Sequence, residues 1–287
     1  SKDADITVAF RVDLPELFTV TAVEYEAIHS AWAKAIKVLP DYSIIHKQDW
    51  FVKETYKPET DKEDMSFLSR SFERHFNERP YLNHSCFLFL TKTTKERMRM
   101  QSNFSSLCRG NIIPKEVNKD TATRFLEAVG QFERIVNDSG LIRIIRLTDE
   151  EIIGTKNSAG IIEKYFSMSQ EDTTCLQDLS LGAGEMKVGD NYLCLHTLSD
   201  PEDLPSNVST DCRYERLSTD RSDCRLSFAA PIGILLTCNH IVNQYLFIDD
   251  SAEILRKFEQ TARNMHSLSR YSRSNQINRE WVRYVAV

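Results

Sequence analysis

The chain has 287 residues, of which 41% are hydrophobic and 27% are charged, and its formal net charge is −6. This length and balance indicate a globular protein of roughly two domains, and they exclude the collagenous, coiled-coil and fully disordered classes. The negative charge excludes a global positive field that would attract the chain to nucleic acid or acidic lipid.

Predicted strands and helices alternate along the first 150 residues. Residues 5–14 alternate apolar and polar side chains, which is typical of a half-buried strand. Thr21 and Glu24 have the spacing of a capping box, so we predict a helix that starts here and ends at Pro40. Further strands are predicted at 42–56, 84–91 and 141–147. The apolar faces of the three predicted helices are Ile28, Trp32, Ile36 and Leu39; Phe67, Leu68, Phe72 and Phe76; and Phe125, Val129, Phe132 and Val136.

The resulting order of four strands and three helices predicts an α+β fold. The strands and two of the helices have the sequence order of a ferredoxin-like sandwich, to which one helix is added. An alternating order of strands and helices is also compatible with a parallel sheet, so both topologies remain open at this point. We assign this unit to a first domain at residues 1–150.

A change in composition near residue 150 predicts a second, smaller α+β domain at 151–287. Residues 149–205 carry 12 acidic and 3 basic side chains. Gly189-Asp190 lies between two predicted antiparallel strands, at 184–188 and 191–198, and is a hairpin signal. The remaining predicted elements are an exposed loop at 199–225, a long strand at 234–248 and a long C-terminal helix. Asp250 and Glu253 would cap that helix, and its predicted inward face is Ile254, Leu255, Phe258, Ala262 and Met265. We expect this domain to be truncated at its C-terminus.

Membrane insertion and disulfide formation are both disfavoured by the sequence. The 23 residues from Leu226 to Ile248 carry no acidic or basic side chain, which is long enough to span a bilayer. They include Pro231, Asn239 and His240, however, which a lipid-facing helix would have to bury, so we predict a buried strand and no direct membrane span. The chain opens on charged residues without an apolar signal segment. Its seven Cys include no C-x-x-C pair and favour a reducing cytosol.

No group of residues predicts catalysis, a cofactor site or a metal site. Cys194 and His196 form one C-x-H pair and Cys238 and His240 another, and four such ligands from neighbouring strands could bind zinc. Buried Cys and hydrogen-bonded His are nevertheless common on strands, so we predict no metal. The acidic run Asp149-Glu150-Glu151 is interpreted as a solvated face, and Gly182-Ala183-Gly184 as a turn that leads into a strand.

Two basic stretches leave a nucleic-acid-binding hypothesis open. The first, residues 92–109, holds Lys92, Lys95, Arg97, Arg99 and Arg109, and the second, from residue 251 onwards, holds Arg256, Lys257, Arg263, Arg270, Arg273, Arg279 and Arg283. Under this hypothesis Arg97, Arg99, Arg270 and Arg273 would contact phosphates. Phe87 and Phe89, exposed on a strand, would stack on bases as in RNA-recognition domains. The glycines of the RNA-recognition consensus are absent, so a solvated or partner-facing surface is the favoured interpretation.

Long segments of the chain closely resemble one protein family. They are SKDADITVAFRVDLPELFTV, EYEAIHSAW, SFLSRSFERHFNERPYLNHSCFLFLTKTTKERMRMQSNFSS, GDNYLCLHTLSD, CNHIVNQYLFIDD and ARNMHSLSRYSR. These segments resemble the N-terminal region of TraG proteins from Bacteroides-type conjugative transposons. That family is similar to the VirB-type ATPases of type IV secretion systems, in which an α+β region precedes a RecA-like motor.

The resemblance implies a role without catalysis for this chain. The family's Walker motifs would lie downstream of Val287, so no catalytic or cofactor-binding residue is transferred to any position here. The family relationship implies a docking and assembly domain of a conjugation ATPase. Its expected partners are inner-membrane and channel subunits, its own ATPase domain and further copies of itself. The expected location is the cytoplasm, peripheral to the inner membrane.

Overall fold

A computed structural model describes residues 5–15, 20–56, 66–95, 119–168, 178–182, 184–197, 212–213, 215, 218–219, 225–226 and 235–273. The helices are α1 (Ala22–Ile36), α2 (Phe67–Asn77), α3 (Lys119–Asp138), α4 (Asp149–Ile153), α5 (Ile161–Ser167) and α6 (Ser251–Arg273). The strands are β1 (Ile6–Asp13), β2 (Ser43–Glu54), β3 (Tyr81–Lys92), β4 (Arg143–Arg146), β5 (Gly154–Thr155), β6 (Ser158–Ala159), β7 (Leu179–Leu181), β8 (Met186–Val188), β9 (Asn191–Leu193), β10 (Cys212–Arg213), β11 (Arg225–Leu226) and β12 (His240–Ile248).

The central element is a five-stranded antiparallel sheet with the strand order β12-β2-β3-β1-β4. Four of these strands have the order 4-1-3-2 of a ferredoxin-like sandwich, with α1 and α3 as its two crossover helices. The predicted ferredoxin-like fold is confirmed, and the parallel-sheet alternative is wrong. The added helix is α2, which lies between β2 and β3 in the chain.

The fifth strand comes from the predicted second domain. A strand was expected at 234–248, but the observed strand β12 begins at His240, and it pairs with β2 over all nine of its residues. The sheet therefore takes strands from both sides of the boundary placed near residue 150. The boundary itself stays a prediction.

The hydrophobic core fills the space between one face of this sheet and the helices α1 and α3. Alternate residues of β1 and β3, such as Phe10 and Leu88, project to the same face because side chains alternate along a strand. Phe125 and Phe132 of α3 are fully buried against them, and Trp32 of α1 meets Phe132 edge to face at 5.7 Å. The sequence predicted this α3 face correctly.

Local signals define where these helices start and end. Thr21 and Glu24 form the predicted capping box, in which the Glu24 N–H donates to Thr21 Oγ1 at 3.3 Å and the Thr21 N–H donates to Glu24 Oε2 at 2.8 Å. Gly140 follows α3 with a φ of +69°, a conformation that a side chain would disfavour.

A second, smaller α+β part contains the three-stranded antiparallel sheet β7-β8-β9 and the long helix α6. The predicted hairpin is confirmed: Gly189-Asp190 joins β8 to β9, and Gly189 has a φ of +58°. The predicted loop at 199–225 falls mostly outside the described residues. Its described residues include Cys212–Arg213 and Arg225, which belong to the paired strands β10 and β11, so the expectation of a loop is wrong there.

Helix α6 begins as predicted, but it is less buried than expected. Asp250 Oδ1 accepts hydrogen bonds from the N–H groups of Ala252 (2.9 Å) and Glu253 (3.3 Å), which confirms the cap. On the predicted inward face, Ile254 and Met265 are half-buried, whereas Leu255, Phe258 and Ala262 are exposed. A periodic apolar stripe indicates a helix, but it does not indicate whether another part of the chain packs against that stripe.

None of the helices in the described ranges is both long enough and apolar enough to cross a membrane.

Replacing Phe132 by alanine should lower the free energy of unfolding by about 3–5 kcal/mol, because the change removes a fully buried ring and leaves a cavity. Urea denaturation measures this value. The matched control is Val23→Ala at a side chain that is 80% exposed, where the change should stay within about 0.5 kcal/mol. Equal effects of the two substitutions would contradict the placement of the core.

Candidate docking surface

Helix α2 has good local signals but little tertiary support. The Ser66 hydroxyl caps it by accepting a hydrogen bond from the Ser69 N–H at 3.2 Å. Near its end, Arg74 and Glu78 form an ion pair of 2.7 Å at the favourable i, i+4 spacing. None of the eleven helical residues is buried. Because isolated helices shorter than about 12–15 residues are marginal in water, α2 would gain stability from a surface to pack against.

The apolar side of α2 is open to solvent. We define the α2 face by Phe67, Leu68, Phe72 and Phe76, all of which are exposed; Leu68, Phe72 and Phe76 follow one another at i, i+4 spacing along one side, and Phe67 lies at the N-terminal end of the helix. Phe67 is 77% exposed and Leu68 is 78% exposed, values that are ordinary for a charged residue and unusual for side chains of this size. The helix and its apolar residues were predicted correctly, but their exposure was not.

Aromatic contacts join part of the α2 face into one patch. The rings of Phe72 and Phe76 lie 4.6 Å apart between centroids, and Tyr56, after β2, meets Phe76 edge to face at 6.3 Å. Aromatic side chains contribute a large part of the binding energy at many protein interfaces. A contiguous apolar patch of this kind marks an interaction site more often than scattered surface residues do.

The face of the sheet away from α1 and α3 is partly covered. Trp50 of β2 is buried, where its Nε1–H donates to Gln48 Oε1 at 3.1 Å and its ring contacts Phe87 at 5.1 Å and Tyr165 of α5 at 5.8 Å. The expectation that Phe87 is exposed for base stacking is therefore wrong, because Trp50 packs on it. Phe89 is half-buried.

A polar network on the same face ties β12 to β2. Asn243 Oδ1 accepts hydrogen bonds from His46 Nε2 and from Gln48 Nε2, each at 2.9 Å. The His46 ring stacks on Tyr245 of β12 at 4.0 Å and lies 5.5 Å from Phe89. Burial lowers the pKa of His46 below its ordinary value, and the hydrogen bond to Asn243 offsets this only in part.

A cluster of titratable side chains surrounds Asp49 on the opposite face of β2. Burial pushes the pKa of Asp49 upward, but its hydrogen bond from His84 (3.0 Å) and its ion pair with Lys47 outweigh burial and hold the pKa below the ordinary value. The neighbouring Cys86 has its pKa raised to about 12 by burial, so its thiol stays protonated and is a poor nucleophile. The cluster can orient the His84 imidazole, but it offers no activated nucleophile for covalent chemistry.

The two C-x-H pairs are not brought into one site by a shared sheet. Cys194 and His196 follow β9 of the three-stranded sheet, whereas Cys238 and His240 lie at the start of β12. His240 Nδ1–H donates to the Cys238 carbonyl at 2.8 Å, and its ring stacks on Phe51 at 4.6 Å. Within the described ranges, no group of three or more potential metal ligands occurs.

The acidic run and the glycine pair have structural roles. Asp149, Glu150 and Glu151 form the first turn of α4 and are exposed, and Glu151 completes a capping box with Thr148. Hydrogen bonds from the Thr148 backbone and side chain lower the pKa of Glu151. Gly182 lies between β7 and β8, where its N–H donates to the Glu185 carbonyl at 2.9 Å, as expected for a turn. Ala183 lies outside the described residues.

Several of the candidate phosphate-binding groups have acidic partners. Glu253 pairs with Lys95 at 2.8 Å and with Lys257 at 3.8 Å, and Arg263 pairs with Glu259 at 3.6 Å. Lys92 donates to the Asp41 carbonyl at 2.6 Å. The side chains of Arg97, Arg99, Arg109, Arg270, Arg273, Arg279 and Arg283 lie outside the described residues. Nucleic-acid binding stays a prediction.

Comparison with known proteins gives one partial match. A family model described as "Domain of unknown function, B. Theta Gene description (DUF3875)" matches residues 1–30. The match covers β1 and the first part of α1, so it concerns the start of the sheet and not the α2 face. No curated protein matches the chain.

The stability of the fold should depend on the protonation of His46. Its pKa is lower in the folded chain than the ordinary value of 6.5, so the unfolded chain binds the proton more readily. Above about pH 6.5, His46 is neutral in both states and its contribution to the free energy of unfolding is fully present. As the pH falls below that value, the unfolded chain takes up a proton first, so this contribution is lost. His46→Phe keeps an aromatic ring beside Tyr245 and removes the titration. In urea denaturation from pH 8 to pH 5, the free energy of unfolding of the wild type should fall relative to that of the variant. A difference between the two proteins that stays constant over this range would contradict the role given to His46.

Proposed function

We propose that this chain is a non-catalytic docking and assembly domain of a conjugative-transfer ATPase of the TraG kind. Its role would be to connect the motor to inner-membrane components of the transfer channel. The observation that carries the proposal is the α2 face, where four large apolar side chains are exposed on a helix with no buried residue. The segments that resemble TraG proteins supply the family context, and the description of the model that matches residues 1–30 names B. Theta, which agrees with a Bacteroides-type origin.

Docking through the α2 face would follow the helix-in-groove mode, in which an amphipathic helix places its apolar side in a groove of its partner. Full burial of one Phe or Leu side chain contributes about 1.5–3 kcal/mol, and only the part that exceeds the cost of association appears as affinity. Partner binding would also stabilise α2 itself, because a helix this short lacks support from packing.

The proposed setting is the cytoplasmic side of the inner membrane, to which the domain would be attached through its partners. Those partners are channel subunits, the ATPase domain of the same protein and further copies of the chain. ATP turnover would belong to the motor, and the chain itself would bind partners without chemistry.

The direct test uses the chain as bait for the inner-membrane subunits of the conjugation channel. The wild type should recover them, and Leu68→Glu should reduce the recovery at least tenfold, because the partner groove would have to bury a charge in place of an apolar side chain. Glutamate has a helix propensity close to that of leucine and is favourable near a helix N-terminus, so α2 should persist in the variant.

Val23→Glu is a matched control for this experiment. Val23 is the second residue of α1 and is 80% exposed, as Leu68 is the second residue of α2 and is 78% exposed. The same charge is therefore added at the same position of a helix, outside the α2 face. Absence of channel subunits from the wild-type bait, or equal losses in both variants, would count against the proposal.

The same preparation should show no salt-dependent affinity for labelled single-stranded DNA. Fluorescence anisotropy at two salt concentrations measures this directly. Tight binding that weakens steeply with salt would instead favour the nucleic-acid alternative, because release of counterions accompanies each phosphate contact.

A further inference from the structure

Strand β12 is at the edge of the five-stranded sheet. In the described part of the chain, β2 pairs with one side of β12, and no strand pairs with its other side. A strand in this position directs alternate backbone N–H and C=O groups away from its neighbour, and these groups can pair with a further strand.

The side chains of β12 are exposed on both faces of the sheet. Five successive residues, 243–247, are exposed, including Tyr245 and Phe247 on one face and Leu246 on the other. A partner that covered one face alone would leave the other open. A strand added beside β12 would cover apolar side chains on both faces at once.

The nine residues of β12 carry none of three common protections of an edge strand. Edge strands are commonly blocked by lysine and other charged residues, by proline or by a β-bulge. The nine residues HIVNQYLFI include no charged residue and no proline, and the register with β2 is continuous, so no bulge interrupts it. This edge is therefore suited to pairing.

The sequence of β12 is complementary to itself in the antiparallel direction. With Gln244 opposite Gln244 of a second copy, all nine residues are paired. Val242 then faces Leu246, and Ile241 faces Phe247, so apolar side chains meet on both faces. Each of these apolar pairs occurs twice because a two-fold axis relates the copies, which is the self-complementary arrangement of a symmetric dimer.

We propose that β12 pairs antiparallel with β12 of a second copy of this chain, about a two-fold axis at Gln244. The result is a continuous ten-stranded sheet across the dimer, within the usual size of open sheets. Each copy carries a net charge of −6, so repulsion between the copies opposes the pairing, and added salt strengthens it by screening. The surface is separate from the α2 face, and the inference does not rest on the proposed function.

Sedimentation velocity over a range of protein concentrations tests the pairing. The mass of the wild type should rise with concentration from 33.2 kDa towards twice that value. Phe247→Lys should raise the dissociation constant at least tenfold, since it places a charge opposite Ile241 of the other copy. Phe258→Lys is the matched control: Phe258 on α6 is 46% exposed, as is Phe247, and its variant should dimerise as the wild type does.

Hydrogen exchange locates the interface. Alternate amides of residues 240–248, those that point away from β2, should gain protection as the concentration of the wild type rises, and Phe247→Lys should abolish this gain. Equal thermal midpoints of the two lysine variants verify that both are folded.

Three results would overturn the inference. The first is a wild type that stays at 33.2 kDa up to a protein concentration of about 1 mM. The second is self-association that Phe247→Lys leaves unchanged. The third is a dimer that Leu68→Glu dissociates, which would assign the contact to the α2 face.

Discussion

The structure depends on the hydrophobic core between one face of the five-stranded sheet and a single layer of helices, α1 and α3. Phe10, Leu88 and Ile144 project from the sheet towards Phe125 and Phe132, and α1 and α3 are long enough to cover these strands. An antiparallel sheet can satisfy its backbone hydrogen bonds with only one face covered in this way. Among the described residues, no comparable layer covers α2 or the outer edge of β12, and both keep apolar side chains in solvent.

Strand β12 joins distant parts of the chain through polar contacts as well as the backbone ladder. Asn243 accepts hydrogen bonds from His46 and Gln48, and Asn239 Oδ1 accepts one from the Lys53 N–H at 2.8 Å. These contacts are directional, so they set the register in which all nine residues of β12 pair with β2. The lowered pKa of His46 predicts that the attachment of β12 is weakened at low pH, whereas the core under α1 and α3 is apolar.

Local patterns sufficed for most of the sandwich, since each of its elements carries its own periodicity and end signals. The face of α3 and the capping box at Thr21 could be predicted because those residues lie within a few positions of one another. The pairing of β12 with β2 could not, because it joins residues separated by almost 200 positions. Burial of Phe87 was missed for a similar reason: alternation along β3 gives its face, but Trp50 and Tyr165, which cover that face, come from other elements. The exposure of α2 is likewise invisible to periodicity, which detects an apolar stripe and not the surface that would cover it.

The α2 face and the β12 edge differ in what they can recognise. A helix has satisfied its own backbone groups, so the α2 face can offer only side chains, and its specificity depends on the shape of an apolar groove. An edge strand offers backbone groups to any extended chain, and its specificity depends on the opposing side chains. Because β12 has no charged side chain, its choice of partner strand depends on how well apolar side chains pack across the pair. Its own antiparallel copy provides such packing. A dimer formed through β12 would carry two copies of the α2 face, and two linked copies of a binding surface gain affinity when the spacing of their partner sites matches.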